Sequence, residues 1–312
     1  MIALSTSQTS RRSFVKGISL LACVPLVPNA LYASEGSNLT EAKETHRVLC
    51  CNIRVALPED EAKGFGWSQR KDVCVRIIHN HKPDILCLQE VLRVQNDDLK
   101  KAFPDYFSFG FEGPEMDAFK EGYHGIAKNP IFFSKKRYEL LGAGGFWLSE
   151  TPLVAGSKSW NTARARQANW VRLRDRKSSK DFRVVNLHLD HKSQPAKEGQ
   201  IKMVLEEARQ YPTDYPQILS GDLNSNAGDV VYANVRSAGW IDTYTSVHGE
   251  AEPGYTVHQF KGDRYEKKDK GRKIDFIFSH GKVKPLKSEI LRDHMNGVYP
   301  SDHYFLSADV EI

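Results

Sequence analysis

The sequence of 312 residues lacks a strong excess of charge of either sign. Lys and Arg number 44 and Asp and Glu number 39, which gives a net charge of +5. Residues 1–33 contain three basic residues and no acidic one, so the rest of the chain carries 41 basic against 39 acidic residues. This near balance excludes a histone-like protein that coats a polyanion through its overall charge.

Paired cysteine motifs and membrane-length apolar runs are also missing. The one long apolar stretch, residues 17–27, is too short to span a bilayer, so we expect no stable membrane span. Cys23 lies in that stretch, and the other cysteines fall in apolar segments without C-x-x-C spacing: Cys50, Cys51, Cys74 and Cys87. This pattern predicts buried hydrophobic cysteines rather than a zinc ribbon, with a disulfide as the alternative.

Several common catalytic motifs do not occur. The chain has no G-x-S-x-G turn, no Walker A loop and no H-E-x-x-H. Asp222, Asn224 and Asn226 begin like a calcium-binding loop, but Ala227 and Ala233 stand where that loop needs glycine and glutamate. These absences exclude the corresponding serine hydrolases, nucleotide hydrolases, zinc proteases and EF-hands.

The N-terminus has the pattern of an export signal. Arg11 and Arg12 precede Phe14 and Lys16, and a short apolar stretch and small residues up to Ala33 follow. This order resembles a bacterial twin-arginine signal. We therefore predict a signal peptide at residues 1–33, a linker at 34–45 and export through the twin-arginine machinery to the periplasm or the exterior. Lipid attachment at Cys23 is the alternative to simple cleavage.

Residues 46–312 show no internal break or repeat, which predicts one catalytic domain. Helical spacing predicts helices over 67–81 and 197–210. Apolar runs predict strands at 47–53, 84–89, 126–134, 168–173, 182–189, 217–220, 274–279 and 304–310. Because strands outnumber helices and several strand pairs have no helix between them, we expect an α/β fold of packed sheets flanked by helices.

Polar residues stand at the ends of six of these strands. They are Asn52, Gln89-Glu90, Asn186 to His191, Asp222 to Asn224, Asp275, and Ser301-Asp302-His303. A single case is explained by a strand cap or a turn, but six together indicate a cleft at the edges of the sheets. Carboxylates without cysteine suit Mg²⁺ or Mn²⁺, and histidines and amides beside such an ion suit attack of water on a phosphate ester.

In this order and spacing, the six motifs resemble those of the endonuclease/exonuclease/phosphatase superfamily over residues 46–312. The segment Phe146 to Pro152 also resembles one that is common in bacterial members. The resemblance implies a DNase I-like, four-layer sandwich of two packed mixed β-sheets flanked by helices.

The resemblance also implies roles for individual residues. Glu90, Asn52 and Asp302 would bind the metal ion, Mg²⁺ or Mn²⁺. His303 would be the general base, oriented by Asp275. Asp222 and Asn224 would position the nucleophile and the phosphate, and His188 would donate to a phosphate oxygen, with supporting roles for His191 and Asn186.

One departure from the bacterial pattern concerns specificity. Residues 125–128 read Gly-Ile-Ala-Lys, where bacterial members often carry a Gly-Glu pair. Since the metal and base positions are kept, this departure implies a difference in substrate rather than in chemistry.

These features predict a metal-dependent phosphodiesterase of nuclease type. Its substrate would be a phosphate ester, including nucleic acid without sequence specificity. Basic clusters at residues 158–180 and 261–273 could hold a polyanion, although charge runs are often solvated loops. The alternatives are a phosphomonoesterase, a lipid-headgroup phosphodiesterase, and a binding protein that keeps the fold without turnover.

Overall fold

The structure, a computed structural model, describes residues 44–118, 122, 126–252, 254–266 and 273–312. The predicted signal peptide, Cys23 and the linker up to residue 43 lie outside the described residues, as do residues 267–272 of the basic cluster at 261–273. The first strand begins at Thr45 and so takes in the last residue of the predicted linker. Within the described part of the chain, no helix is long and apolar enough to cross a membrane.

Twelve strands and seven α-helices are seen among these residues. The helices are α1 (Pro58–Glu61), α2 (Trp67–His81), α3 (Arg93–Ala102), α4 (Pro114–Asp117), α5 (Gln194–Ala208), α6 (Val230–Ser237) and α7 (Thr243–His248), with a 3₁₀ turn at Gly262–Arg264. The strands are β1 (Thr45–Asn52), β2 (Ile85–Gln89), β3 (Tyr106–Phe109), β4 (Ile131–Ser134), β5 (Tyr138–Trp147), β6 (Gln167–Asp175), β7 (Asp181–His188), β8 (Gln217–Asp222), β9 (Ile241–Asp242), β10 (Asp275–His280), β11 (Lys284–Leu291) and β12 (Phe305–Glu311).

The strands form two mixed six-stranded sheets. The first has the order β11-β12-β1-β2-β4-β3, and the second has the order β5-β6-β7-β8-β10-β9. Each sheet contains one parallel pair, β1 with β2 and β7 with β8, and its other pairs are antiparallel. The parallel pairs are central, so their carboxyl ends lie in the middle of the sheet edge.

Successive side chains of a strand point to opposite faces of the sheet, so one face of each sheet packs on the other sheet and the opposite face packs on helices. On β1, Val48 and Cys50 enter the core between the sheets, whereas Leu49 and Cys51 pack with residues of α2 and α3. On the second sheet, the outer face packs on α5 and α6. The molecule is therefore a sandwich of helices, sheet, sheet and helices, which confirms the expected fold.

The four cysteines that the structure describes are buried and free. Cys50 and Cys87 lie in the core between the sheets, and Cys51 and Cys74 lie in the core under the helices. This confirms the prediction of buried hydrophobic cysteines.

Some elements were not predicted because local sequence signals are weak there. β5 contains three glycines, and Gly144 is required because a Cβ atom would lie 2.7 Å from the Trp170 ring. α3 and β11 are polar segments at the surface. The predicted strand at 126–134 begins only at Ile131, since Pro130 has no N–H to donate to a ladder.

A buried histidine gives the fold a predicted sensitivity to acid. His46 Nδ1 hydrogen-bonds to the Tyr138 hydroxyl at 2.8 Å. Burial, followed by the charge of Arg137, lowers the pKa of His46 to about 3. Between pH 6.5 and 3, His46 is therefore protonated in the unfolded chain and neutral in the folded chain. The contribution of neutral His46 to the free energy of unfolding is lost as the pH falls through this range.

We expect His46→Gln to reduce the loss of unfolding free energy between pH 7 and pH 4.5, measured by urea titration. The exposed His79 on α2 provides a matched control, because His79→Gln should keep the wild-type loss. An unchanged loss in His46→Gln would contradict this account.

Candidate active site

The second sheet brings three predicted residues into register. His188 and Asp222 end the parallel strands β7 and β8 and lie side by side. Asp275 begins the antiparallel strand β10 and lies opposite Asp222. The Gly221 before Asp222 has φ 154°, and a Cβ atom there would lie 2.1 Å from the Leu187 carbonyl oxygen. Only glycine therefore lets β8 approach β7 this closely.

The first sheet supplies Asn52 and Glu90 at the carboxyl ends of its own parallel strands, β1 and β2. Asn52 and Gln89 end β1 and β2 side by side, and Glu90 follows directly. Glu90 has φ 61°, a left-handed conformation that is costly for a residue with a side chain and is typical of functional sites. Its Oε2 accepts a hydrogen bond from the backbone N–H of Val55 at 3.0 Å.

Asn52 joins the carboxylates of the two sheets. Its Nδ2 donates to Glu90 Oε1 at 3.2 Å and to Asp222 Oδ2 at 3.0 Å. Its Oδ1 accepts from the backbone N–H of Arg54 at 3.0 Å. The amide therefore faces both carboxylates with its donor side and holds them at a fixed spacing.

Asp275 and His303 form a buried dyad. His303 Nδ1 donates to Asp275 Oδ2 at 2.8 Å, which leaves Nε2 of the same ring for the pocket. Burial lowers the pKa of His303, but the charge and hydrogen bond of Asp275 outweigh it and raise the pKa well above its ordinary value. The ring is thus oriented and made a strong base by a carboxylate that does not itself line the pocket.

His188 lies on the other side of Asp222. Asn224 Nδ2 donates to His188 Nε2 at 2.8 Å and to the Leu189 carbonyl at 3.1 Å. Burial, followed by the charges of Arg166 and His303, lowers the pKa of His188 well below its usual value, so the ring is neutral. With Nε2 accepting, Nδ1 carries the proton, and it has no partner among the described residues.

The surroundings shift the pKa values of the two carboxylates in opposite directions. Burial and the neighbouring Asp275 raise the pKa of Asp222 to about 7. Burial also raises the pKa of Glu90, but the charges of His303 and Arg54 and two hydrogen bonds lower it below the usual value. Such a site gains free energy from a bound cation.

Two groups of side chains each have ligand atoms close enough together to bind a metal ion. The donor atoms of Glu90, His188 and Asp222 lie within 4.8 Å of one another, and so do those of Asp222, Asp275 and His303. Asp275 Oδ1 is buried without a partner among the described residues. A donor set rich in carboxylate oxygen and free of sulfur fits Mg²⁺ or Mn²⁺.

These residues open into a cavity of about 470 Å³. Its wall includes predicted site residues and cationic residues: Glu90, His188, Asp222, Asn224 and His303, with Arg54, Lys158, Arg164, Arg166 and His191. The cavity is therefore acidic at its base and basic around its wall, which suits an anionic substrate above a cation.

A sequence model of the endonuclease/exonuclease/phosphatase family matches residues 61–303. The chain belongs to this family. Nocturnin from Drosophila melanogaster is 24% identical over 295 residues, which is 83% of this chain and 44% of that protein. The chain thus spans less than half the length of this curated relative.

Two solved structures resemble the protein along their whole length. A family member from Bacteroides vulgatus is 29% identical with a TM-score of 0.76, over 86% of this chain and 100% of that chain. A mannosyl-6-phosphatase from Bacteroides thetaiotaomicron is 28% identical with a TM-score of 0.73, over 85% and 99%. Members of the family hydrolyse phosphoester bonds.

Most of the residues assigned from the family motifs lie together, but Asp302 belongs to neither of the two ligand groups. Its Oδ2 lies 3.4 Å from Arg54 Nη1, and its Oδ1 accepts from Ser301 Oγ at 3.3 Å. Its role as a metal ligand stays a prediction. Asn186 links the sheets instead of lining the cavity, because its Oδ1 accepts from Gln89 Nε2 at 2.6 Å.

The basic cluster at 158–180 divides in the structure. Lys158, Arg164 and Arg166 line the cavity of this family member, whereas Arg174 pairs with Asp181 on the surface. Arg54 and Arg166 were not singled out as site residues in the sequence, because nothing local separates them from other arginines. The basic cluster at 158–180 is a signal for Arg166, whereas Arg54 lies outside any such cluster.

Lys273, from the cluster at 261–273, is not free to bind substrate. Its Nζ lies 3.0 Å from Asp242 Oδ2 in the interior. The electrostatic role proposed for that cluster therefore loses this residue, and residues 267–272 lie outside the described ones.

Proposed function

We propose that this protein hydrolyses a phosphate ester by attack of a water molecule that His303 deprotonates. The observation that carries the proposal is the hydrogen bond of 2.8 Å from His303 Nδ1 to Asp275 Oδ2 at the wall of the acidic cavity. Asp275 fixes the ring and stabilises the imidazolium that forms when His303 takes the proton. A protein that only binds its ligand has no need of such a base.

The carboxylates at the base of the cavity would hold the metal ion. Glu90 and Asp222, held at their spacing by Asn52, provide the oxygen ligands that Mg²⁺ or Mn²⁺ prefers. When bound, the ion would polarise the phosphate, stabilise charge on the leaving oxygen, and offset the charge of Asp222, which contributes after Asp275 and Asp302 to the raised pKa of His303.

His188 and Asn224 would bind the phosphate group during the reaction. The neutral His188 has an N–H at Nδ1 that no other described residue accepts, and this N–H would donate to a phosphate oxygen as negative charge develops there. Asn224, with φ 48°, is held by Asp222 Oδ1, which accepts from its backbone N–H at 2.7 Å.

For the substrate, the motifs by themselves favour a phosphodiester, as in a nuclease without sequence specificity. The phosphatase from Bacteroides thetaiotaomicron, 28% identical to this chain, supports the phosphomonoester alternative. Both substrates use the same base and the same attack by water, so the chemistry proposed above holds for either.

The test is hydrolysis of bis-p-nitrophenyl phosphate and p-nitrophenyl phosphate by the purified protein. We expect release of p-nitrophenol from at least one ester with Mg²⁺ or Mn²⁺, and none after addition of a chelator. Activity that survives the chelator would contradict the metal-assisted mechanism, and release from neither ester would count against the small-substrate chemistry proposed.

We also propose that the protein is exported through the twin-arginine pathway, on the pattern of Arg11 to Lys16. Replacing both Arg11 and Arg12 by lysine should retain precursor in the cytoplasm, as measured by cell fractionation and immunoblotting. The double change of Arg174 and Arg176 to lysine is the control and should leave export unchanged. Normal export of the Arg11→Lys, Arg12→Lys variant would remove the proposal, and fatty-acid labelling that Cys23→Ala abolishes would favour the lipoprotein.

A further inference from the structure

Arg166 is a buried cation in the cavity wall that makes no direct ion pair within the described residues. The residue is 8% exposed, and its Nε has no hydrogen-bond partner among the described residues. Nη2 donates to Nδ1 of His191 at 3.4 Å, a long bond to a neutral ring. Within the described ranges, no carboxylate lies within 4.0 Å of the Arg166 guanidinium.

Other buried cations of this chain are compensated. Lys128 lies 2.6 Å from an Asp117 oxygen, and Arg183 is paired with Glu207. Arg70, equally buried, donates to the backbone carbonyls of four residues. Because burial of a charge without a partner is unfavourable, the open guanidinium of Arg166 indicates a group that receives its partner from outside.

Hydrogen bonds fix the segment that precedes Arg166 in the chain. Asp190 Oδ1 accepts from the backbone N–H of Ala163 at 3.0 Å, and Asp190 is fully buried. Gln200 of α5 donates to Thr162 Oγ1 at 3.3 Å and accepts from the backbone N–H of Asp190 at 2.8 Å. The backbone that leads to Arg166 is therefore ordered before an anion binds, which lowers the entropy cost of binding.

The position of Arg166 relates it to the reacting phosphate. Burial lowers the pKa of Arg166, and the charges of Glu90 and Asp222 oppose that effect, which places the guanidinium in the field of both carboxylates. Arg166, His188 and Glu90 all line the same cavity. A phosphate that contacts a cation between the carboxylates is therefore close to Arg166 as well.

The number of phosphate-binding groups identifies the class of ester. A phosphodiester has two non-bridging oxygens with one negative charge, whereas a phosphomonoester has three with up to two charges. The cavity offers three sets of partners: the carboxylate site for a cation, His188 with Asn224, and Arg166 with His191. A simple diester has only two non-bridging oxygens, so it leaves Arg166 and His191 without a non-bridging oxygen to bind.

We propose that Arg166, supported by His191, binds the third oxygen of a terminal phosphate and so selects phosphomonoester dianions. This inference rests on the proposed function and adds the substrate class to it. A guanidinium is planar and can offer a phosphate two parallel donors, a geometry that a lysine cannot reproduce.

The test compares p-nitrophenyl phosphate with methyl p-nitrophenyl phosphate, which has the same leaving group but replaces one anionic oxygen by a methoxy group. Because the two esters differ in intrinsic reactivity, the effect of substitution on each is the diagnostic quantity. We expect Arg166→Met to lower kcat/KM for the monoester by about 10²-fold and to change that for the methyl diester by less than about threefold. Arg166→Lys should lie between wild type and Arg166→Met, and Arg174→Met on the surface should match wild type.

A second measurement does not depend on turnover. Without divalent ions, inorganic phosphate should raise the melting temperature of the wild-type protein and of Arg174→Met but not that of Arg166→Met. Arg166→Lys serves the same comparison if Arg166→Met does not fold.

The outcomes separate this inference from the proposed function. Equal losses on both esters would show that Arg166 binds an oxygen common to both and would overturn the selectivity for monoesters. No loss on either, with phosphate stabilisation retained, would overturn the subsite. Hydrolysis of neither ester by wild type with Mg²⁺ or Mn²⁺ would contradict the proposed function, and the phosphate measurement would still decide whether Arg166 binds phosphate.

Discussion

Replacement of His303 by alanine is expected to lower kcat by at least ~10²-fold, because a positioned general base contributes that much or more. His303 is the buried ring that combines a direct bond to a carboxylate, at 2.8 Å, with a place at the wall of the acidic cavity. Asp222→Ala should cause a loss of similar size, since Asp222 holds Asn224 and contributes to both ligand groups.

The measurement is steady-state hydrolysis of whichever p-nitrophenyl ester the wild-type protein turns over, with the melting temperature recorded for each variant. His294, an exposed histidine nine residues before His303, supplies the control, and His294→Ala should retain wild-type kcat. Retained activity in a folded His303→Ala protein would remove the assignment of the base.

Removal of divalent metal is expected to abolish turnover completely, and Mg²⁺ or Mn²⁺ should restore it. The physical reason lies in the charge at the base of the cavity, where Glu90, Asp222 and Asp275 are brought together by the ends of β2, β8 and β10. Without a cation nothing polarises the phosphate or stabilises charge on the leaving oxygen, and burial and the charge of Asp275 raise the pKa of Asp222 to about 7.

Glu90→Gln is the matched test of this site, because it keeps the shape of the side chain and removes its charge. We expect the concentration of Mg²⁺ that gives half-maximal activity to rise at least ~10-fold, while the melting temperature without metal stays the same or increases. The exposed Glu150→Gln is the control. Restoration by Zn²⁺ alone would show that the ligand set prefers a different ion from the one its oxygen atoms indicate.

The motifs and their order are sufficient to predict the fold, the family and most of the residues that meet in the cavity. Asn52, Glu90, His188, Asp222 and Asp275 could be selected because each stands where a buried strand ends or begins, and such positions share an edge in a sheet. Trp67–His81 was predicted with its full bounds, since its apolar residues have clear helical spacing.

Other parts of the fold could not be predicted from local sequence. β5 has three glycines, of which Gly144 and Gly145 are required by close packing on residues of β6, and a glycine-rich segment carries no signal for a strand. β11 is a polar strand at the edge of its sheet, where one side of the backbone has no neighbouring strand to bury it.

The sequence by itself determined which types of chemical group this protein has and at which strand ends they stand. Only the tertiary structure decided how they combine. In the tertiary structure Asn52 lies between Glu90 and Asp222, and Asp302 lies beside Arg54. Arg166 lines the cavity but forms no direct ion pair with a described carboxylate, and its Nε has no partner there. These relations join residues far apart in the chain and depend on the packing of one sheet on the other, so no local pattern encodes them.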